Sequence, residues 1–194
     1  MALEIEDEDF FVKLFGYENH DESRARWMQY YDTGDQDEQA LWLGGHQDLS
    51  ALSLLFSQPM ASLQVRDYAD DAQWRYVPYI PGAMIVNAGE IMRWRLSIGS
   101  VQPPADQRGH DRSAFFYFTV PNDKVVINTL LEESPVLCRA GVQKWFKEGE
   151  APTSKEWCNN RIRVTGQKAL FQNQNAALNR EMERIGTVTT TWYR

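Results

Sequence analysis

The tripeptide His46-Gln47-Asp48 lies between Trp42-Leu43-Gly44-Gly45 and the apolar run at residues 49–56. In an extended strand, side chains at i and i+2 leave the same face, so His46 and Asp48 are placed to hold one cation together. An imidazole beside a carboxylate supplies two of the three protein ligands that hold non-haem Fe(II) with positions open for oxygen and a co-substrate. As a bare motif the pair is weak, because a loop-capping histidine beside an aspartate in a turn reads the same way. A third ligand has to come from a distant strand. The histidines are His20, His46 and His110. His110 lies across a turn from any such strand and reads as a solvated side chain.

Arg112 stands at the head of the most apolar strand-like run of the chain, Ala114-Phe115-Phe116-Tyr117-Phe118. An inward-facing guanidinium there needs a compensating anion, and its planar fork matches a carboxylate bidentately, as a lysine cannot. The alternative is an ion pair at the rim with Asp111 or Asp106.

The chain has 194 residues, enough for one domain with a real core. An apolar share of 43% with 12% aromatics excludes a disordered polymer. A formal charge of −7 argues against nucleic acid and anionic membranes as partners. No apolar stretch has the length of a membrane span. The acidic start, Met1-Ala2-Leu3-Glu4-Ile5-Glu6, has no basic region and does not read as a signal peptide. Cys138 and Cys158 sit in no metal-binding spacing and are expected as free thiols, which suits the cytoplasm.

The elements that would position these residues are mainly β. Residues 3–15 suit a helix ending at Gly16, and residues 26–31 suit a short aromatic strand, with a polar loop to residue 39. Short strands are expected at 52–56, 63–65, 74–77, 84–87 and 114–120. They are broken by Gln58-Pro59, Asp70-Asp71 and Pro81-Gly82, the pattern of an antiparallel sandwich or jelly roll. Beyond Pro121 the β pattern weakens. Thr153 and Glu156 form a capping box that opens a helix toward residue 172, and the polar tail from residue 172 is expected to be peripheral.

Three stretches carry a family resemblance: Trp42 to Gln64, Tyr79 to Met92 (YIPGAMIVNAGEIM) and Val101 to Phe118 (VQPPADQRGHDRSAFFYF). The order is HxD with a leucine-rich strand, a PG-x-x-x-VN-x-G-(D/E) turn, then a QPP-x-DQRG-x-x-R strand entry. It resembles the Fe(II)/2-oxoglutarate-dependent dioxygenases, in the isopenicillin-N-synthase-like (clavaminate synthase-like) branch found in many fungal proteins. Weaker likeness extends over residues 3–170. The resemblance implies a double-stranded β-helix, or jelly roll, with flanking helices, incomplete at the N-terminus and carrying a helical C-terminal appendage. It divides the chain into a remnant helix and early strand at 1–40, an oxygenase core at 41–120 and a C-terminal extension at 121–194.

The resemblance makes His46 and Asp48 the first two iron ligands, with no catalytic residue beyond the metal centre. It makes Arg112 the grip on the distal carboxylate of 2-oxoglutarate. Ala114 takes a position near the co-substrate that is often a serine in the family. Tyr31 is the match for a tyrosine that also contacts the co-substrate, although an aromatic pair such as Tyr30-Tyr31 more often packs a core. Asn87 and Gly89 are expected to shape a turn without touching a ligand. The implied chemistry is hydroxylation, desaturation or cyclisation of a small organic substrate by a monomer using Fe(II), 2-oxoglutarate and O2.

Two departures from the family pattern stand out. The family's N-terminal region is absent, so apolar surface is expected to be exposed. The distal histidine, on a strand reading like T-I-H-R-V-V before the QPP turn, is missing as well, and the alignment puts it at Ile98. One encoding of Thr-Ile-His-Arg-Val, read one base later, spells Leu-Ser-Ile-Gly-Ser, the text of residues 96–100. A shifted reading frame across the iron strand is the expectation this raises. The alternative is an impaired pseudo-oxygenase, or the product of a truncated gene model, that keeps only a binding scaffold.

Overall fold

The computed structural model describes residues 3–32, 34, 41–66, 73–92, 98–170, 180–185 and 188–193. Among the described residues, ten strands and four α-helices follow in the order α1 (Phe10–Phe15), β1 (Arg24–Tyr30), β2 (Leu43–His46), β3 (Leu52–Phe56), β4 (Leu63–Arg66), β5 (Trp74–Tyr76), β6 (Met84–Ala88), β7 (Ile98–Val101), β8 (Arg112–Thr119), α2 (Thr129–Glu133), α3 (Pro135–Arg139), α4 (Ser154–Leu170), β9 (Arg180–Ile185) and β10 (Val188–Tyr193).

Two four-stranded sheets, ordered β1-β8-β3-β6 and β2-β7-β4-β5, form a jelly roll. All their pairings are antiparallel. Inward-facing residues of both sheets meet in a core of Tyr30, Leu55, Val101 and Ala114, packed by Met28, Trp42, Leu43, Leu63, Ile85 and Phe116. The alternation of apolar and polar residues along each strand produces this layer.

β1 belongs to this core sheet, because it pairs with β8 from Arg24↔Phe118 to Tyr30↔Arg112. An oxygenase core starting at residue 41 therefore leaves out one of its own strands. β1 also begins two residues earlier than residues 26–31 imply and ends at Tyr30. The N-terminal helix covers only Phe10–Phe15. Ahead of it, Asp7 Oδ1 accepts from the Asp9 amide at 3.1 Å, and Glu4 has φ 51, so local side-chain bonding displaces helix there.

A second cluster, Val120, Phe146, Trp157 and Cys158, joins α4 to the base of the sheets and takes in Leu49 and Ile91. The capping box at the start of α4 forms: the Thr153 amide donates to Glu156 Oε2 at 2.9 Å, and the Glu156 amide to Thr153 Oγ1 at 3.3 Å. α2 and α3 have no counterpart in the strand pattern. A signal existed for α3, since Ser134 caps it, accepting from the Leu137 amide at 3.3 Å, with Pro135 at its first position. The tail also holds structure, since β9 and β10 form an antiparallel hairpin. Among the described residues, no helix is long and apolar enough to cross a membrane.

Candidate metal and carboxylate site

His46 closes β2, and Asp48 follows in the bend that leads to β3. The His46 Nδ1–H donates to the Gly44 carbonyl at 2.9 Å. A carbonyl can only accept, so a proton sits on Nδ1, and the ring in its neutral form presents the Nε2 lone pair. Nε2 lies 3.6 Å from Asp48 Oδ1, and the two side chains are 29% and 18% exposed. These are two metal-binding atoms converging at a partly shielded place, which fits one half of an Fe(II) site.

Burial pushes the His46 pKa down, but Asp48 and the Gly44 carbonyl outweigh it and hold the imidazole above its ordinary value. Burial pushes the Asp48 carboxyl up, and His46, Ser53 and Asn87 together hold it below the usual range. Asn87 Nδ2 donates to Asp48 Oδ2 at 3.5 Å. Asn87 lies in β6, not in the turn that follows it, and its amide reaches the Asp48 carboxylate.

The turn after β6 clamps the backbone of the Asp48 loop. The Glu90 amide donates to the Asp48 carbonyl at 2.7 Å, Gly89 to Ala51 at 2.8 Å, and Ile91 to Ser50 at 3.3 Å. Gly89 is required by this close approach, since a Cβ there would lie 2.0 Å from the Ser50 carbonyl oxygen.

β7 runs beside β2, and its Gly99 pairs with His46 on one side and Val65 on the other, whereas Ile98 pairs with Arg66. A β-bulge between Leu43 and His46 sets this register. Gly99 shares the inward face with Val101, two residues on, so the position across from His46 is 99, one residue past the expected 98. A Cβ at Gly99 would meet only Leu63 Cδ1, at 3.9 Å. Among the described residues, no three of His, Cys, Asp and Glu are arranged to hold a metal. His20 and His110 are both exposed.

Arg112 opens β8 at 4% exposure, opposite Tyr30. Its guanidinium lies 5.4 Å from the centre of the Tyr30 ring. Nε and Nη1 are buried without a hydrogen-bond partner. Burial pulls the Arg112 pKa down, opposed by Tyr30. No ion pair forms with Asp111 or Asp106: Asp111 instead accepts from the Asp32 amide at 2.8 Å. Leu55, Leu63, Val77, Tyr79 and Ile85 line the pocket around the guanidinium. Ser57 and Gln58 line it too, and buried donors left open beside such a pocket fit a carboxylate ligand.

Ala114 is fully buried two residues on from Arg112, in the core between the sheets. Tyr31 does not join this site. It is 70% exposed just beyond β1, and the tyrosine beside Arg112 is Tyr30. Strand alternation sends these neighbours to opposite faces. Burial lifts the Tyr30 hydroxyl pKa, Arg112 and Arg26 lower it, and Asp48 raises it again. Tyr30 therefore lies within electrostatic reach of both halves of the site.

The family model of the 2OG-Fe(II) oxygenase superfamily matches residues 23–121, just over half of the chain. The chain belongs to this superfamily, whose cofactors are Fe(II) and 2-oxoglutarate. UPF0676 protein C1494.01 of Schizosaccharomyces pombe is 27% identical over 81% of this chain and 47% of that protein. Gibberellin 20 oxidase 2 of rice is 32% identical over 55% of this chain and 28% of the rice protein. Among solved structures, a full-length Neurospora crassa protein in complex with alpha-KG superposes with TM-score 0.65 at 22% identity, over 82% of this chain and 48% of that one. JOX2 in complex with 2OG, Fe and JA gives TM-score 0.59 at 22% identity, over 81% of this chain and 44% of that one. These structures share the fold. The chain spans about half, or less, of the length of each of these proteins.

Proposed function

We propose that this chain carries the Fe(II) and 2-oxoglutarate site of an oxygenase acting on a small organic substrate. The observation that carries the reading is Arg112, a buried guanidinium with Nε and Nη1 unpartnered beside a pocket of the jelly roll. A dicarboxylate co-substrate supplies the anion that such a group needs. His46 Nε2 and the Asp48 carboxylate would hold the metal, and Tyr30 and Ala114 would shape the wall near the co-substrate. When bound, Fe(II) and 2-oxoglutarate supply the oxygen activation that ends in hydroxylation, desaturation or cyclisation. The chain's own residues bind, orient and exclude water.

The relatives and neighbours include proteins named as a gibberellin oxidase and a structure solved with 2OG, Fe and JA. They support a small molecule, in preference to a polymer, as the substrate. The acidic charge and free thiols support a cytoplasmic monomer.

Anaerobic calorimetric titration with Mn(II), a redox-stable stand-in for Fe(II), tests the metal half. The parent is expected to bind weakly and His46→Ala not at all; equal binding by both would remove His46 from the site. A second reading, a scaffold that binds 2-oxoglutarate with impaired turnover, draws on Gly99 standing opposite His46. Succinate release on addition of Fe(II) and 2-oxoglutarate separates the two.

A further inference from the structure

We infer that the buried ion pair between Glu90 and Arg161 is the strut through which helix α4 sets the position of Asp48. Arg161 is then a positioning residue for the metal site, an inference that rests on reading His46 and Asp48 as metal ligands. Arg161 Nε donates to Glu90 Oε2 at 2.9 Å and Nη2 to Oε1 at 2.7 Å, with both side chains 2% exposed. The paired bonds fix the rotation of the carboxylate as well as its place. Removing the arginine would take away the bidentate partner of a buried carboxylate, which is relieved by opening of the turn or by uptake of a proton.

Glu90 works at both ends. Its carboxylate faces α4, while its amide holds the Asp48 carbonyl at 2.7 Å, between the Gly89 and Ile91 bonds to Ala51 and Ser50. α4 also packs directly on this clamp. Trp157, 5.9 Å from the Arg161 guanidinium, shares a cluster with Leu49 and Ile91, the residues next to Asp48 and Glu90. A buried ion pair adds little net stability compared with apolar residues of similar size. Its geometric specificity is the more economical reason for placing one here.

Native-state hydrogen exchange and Mn(II) titration on the full chain test this together. Arg161→Ala should raise exchange at amides 89–91 selectively, leaving the β1–β8 amides protected, and should weaken Mn(II) binding about 10–100-fold. Arg161→Lys should recover part of both, since it keeps the charge and loses the fork. Unchanged exchange at amides 89–91 in folded Arg161→Ala overturns the inference whatever the metal does. So does selective opening with Mn(II) affinity equal to the parent's. If the parent binds no Mn(II) while Arg161→Ala still opens the turn, the clamp stands and the metal reading falls. Should Arg161→Ala fail to fold, Glu90→Gln removes one charge at constant shape. It is expected to open the same amides, and wild-type protection there would count against the strut.

Discussion

Arg112 is recognisable in the sequence because a charge at the head of an apolar run is costly without a partner. Its neighbour is harder to place. Tyr30 and Tyr31 are chemically identical, and only the pairing Tyr30↔Arg112 decides which one faces inward. Tyr30→Ala should cost about 3–5 kcal/mol, the loss of a large buried aromatic. Tyr31→Ala should stay within about 0.5 kcal/mol. Urea denaturation compares them, and equal midpoints would contradict the assignment. The thiols differ in the same way. Burial pushes Cys158 up from 9.0 to about 11, while Cys138 is exposed. The unfolded Cys158 thiol ionises first as pH rises, so its linkage contribution leaves stability intact below about pH 9 and erodes it until the folded thiol also ionises near 11. At pH 8, iodoacetamide should alkylate Cys138 in the native protein and reach Cys158 only after denaturation, read by mass spectrometry.

At the scale of elements, β1, β3, β4, β5, β6 and β8 follow from apolar and aromatic runs between turn residues, and the capping box fixes the start of α4. The glycine-bearing strands β2 (Leu43–His46) and β7 (Ile98–Val101) carry no such run, and α2 and α3 have none either. The bulge in β2, which sets Gly99 opposite His46, depends on two strands meeting and has no local signature. The Glu90–Arg161 pair joins residues from a turn and a helix far apart in sequence. The hairpin of β9 and β10 was hidden by polarity, although Val188-Thr189-Thr190-Thr191-Trp192-Tyr193 is rich in strand-forming types. The register gives a direct prediction: Gly99→His should strengthen Mn(II) binding well beyond the parent, because the new imidazole starts across from His46. Ile98→His should do so far less. The opposite order, measured by calorimetry, would return the distal ligand to position 98.

Considered as a whole, the molecule closes two sheets over one apolar interior, and the outer face of β1-β8-β3-β6 carries Trp27 at 72%, Val86 at 58% and Phe56 at 49% exposure. The open donors of Arg112 adjoin Tyr30, and Asp48 lies within electrostatic reach of the same ring. The most direct test of this account is anaerobic binding of 2-oxoglutarate to the Mn(II)-loaded protein, comparing the parent with Arg112→Ala and Arg112→Lys. Truncation of one partner of a buried charge pair costs about 2–5 kcal/mol, so Arg112→Ala should lose detectable binding. Arg112→Lys should recover only part of it, since the fork is gone. Parental affinity in both variants would contradict the account, leaving Arg112 without a role in holding the co-substrate.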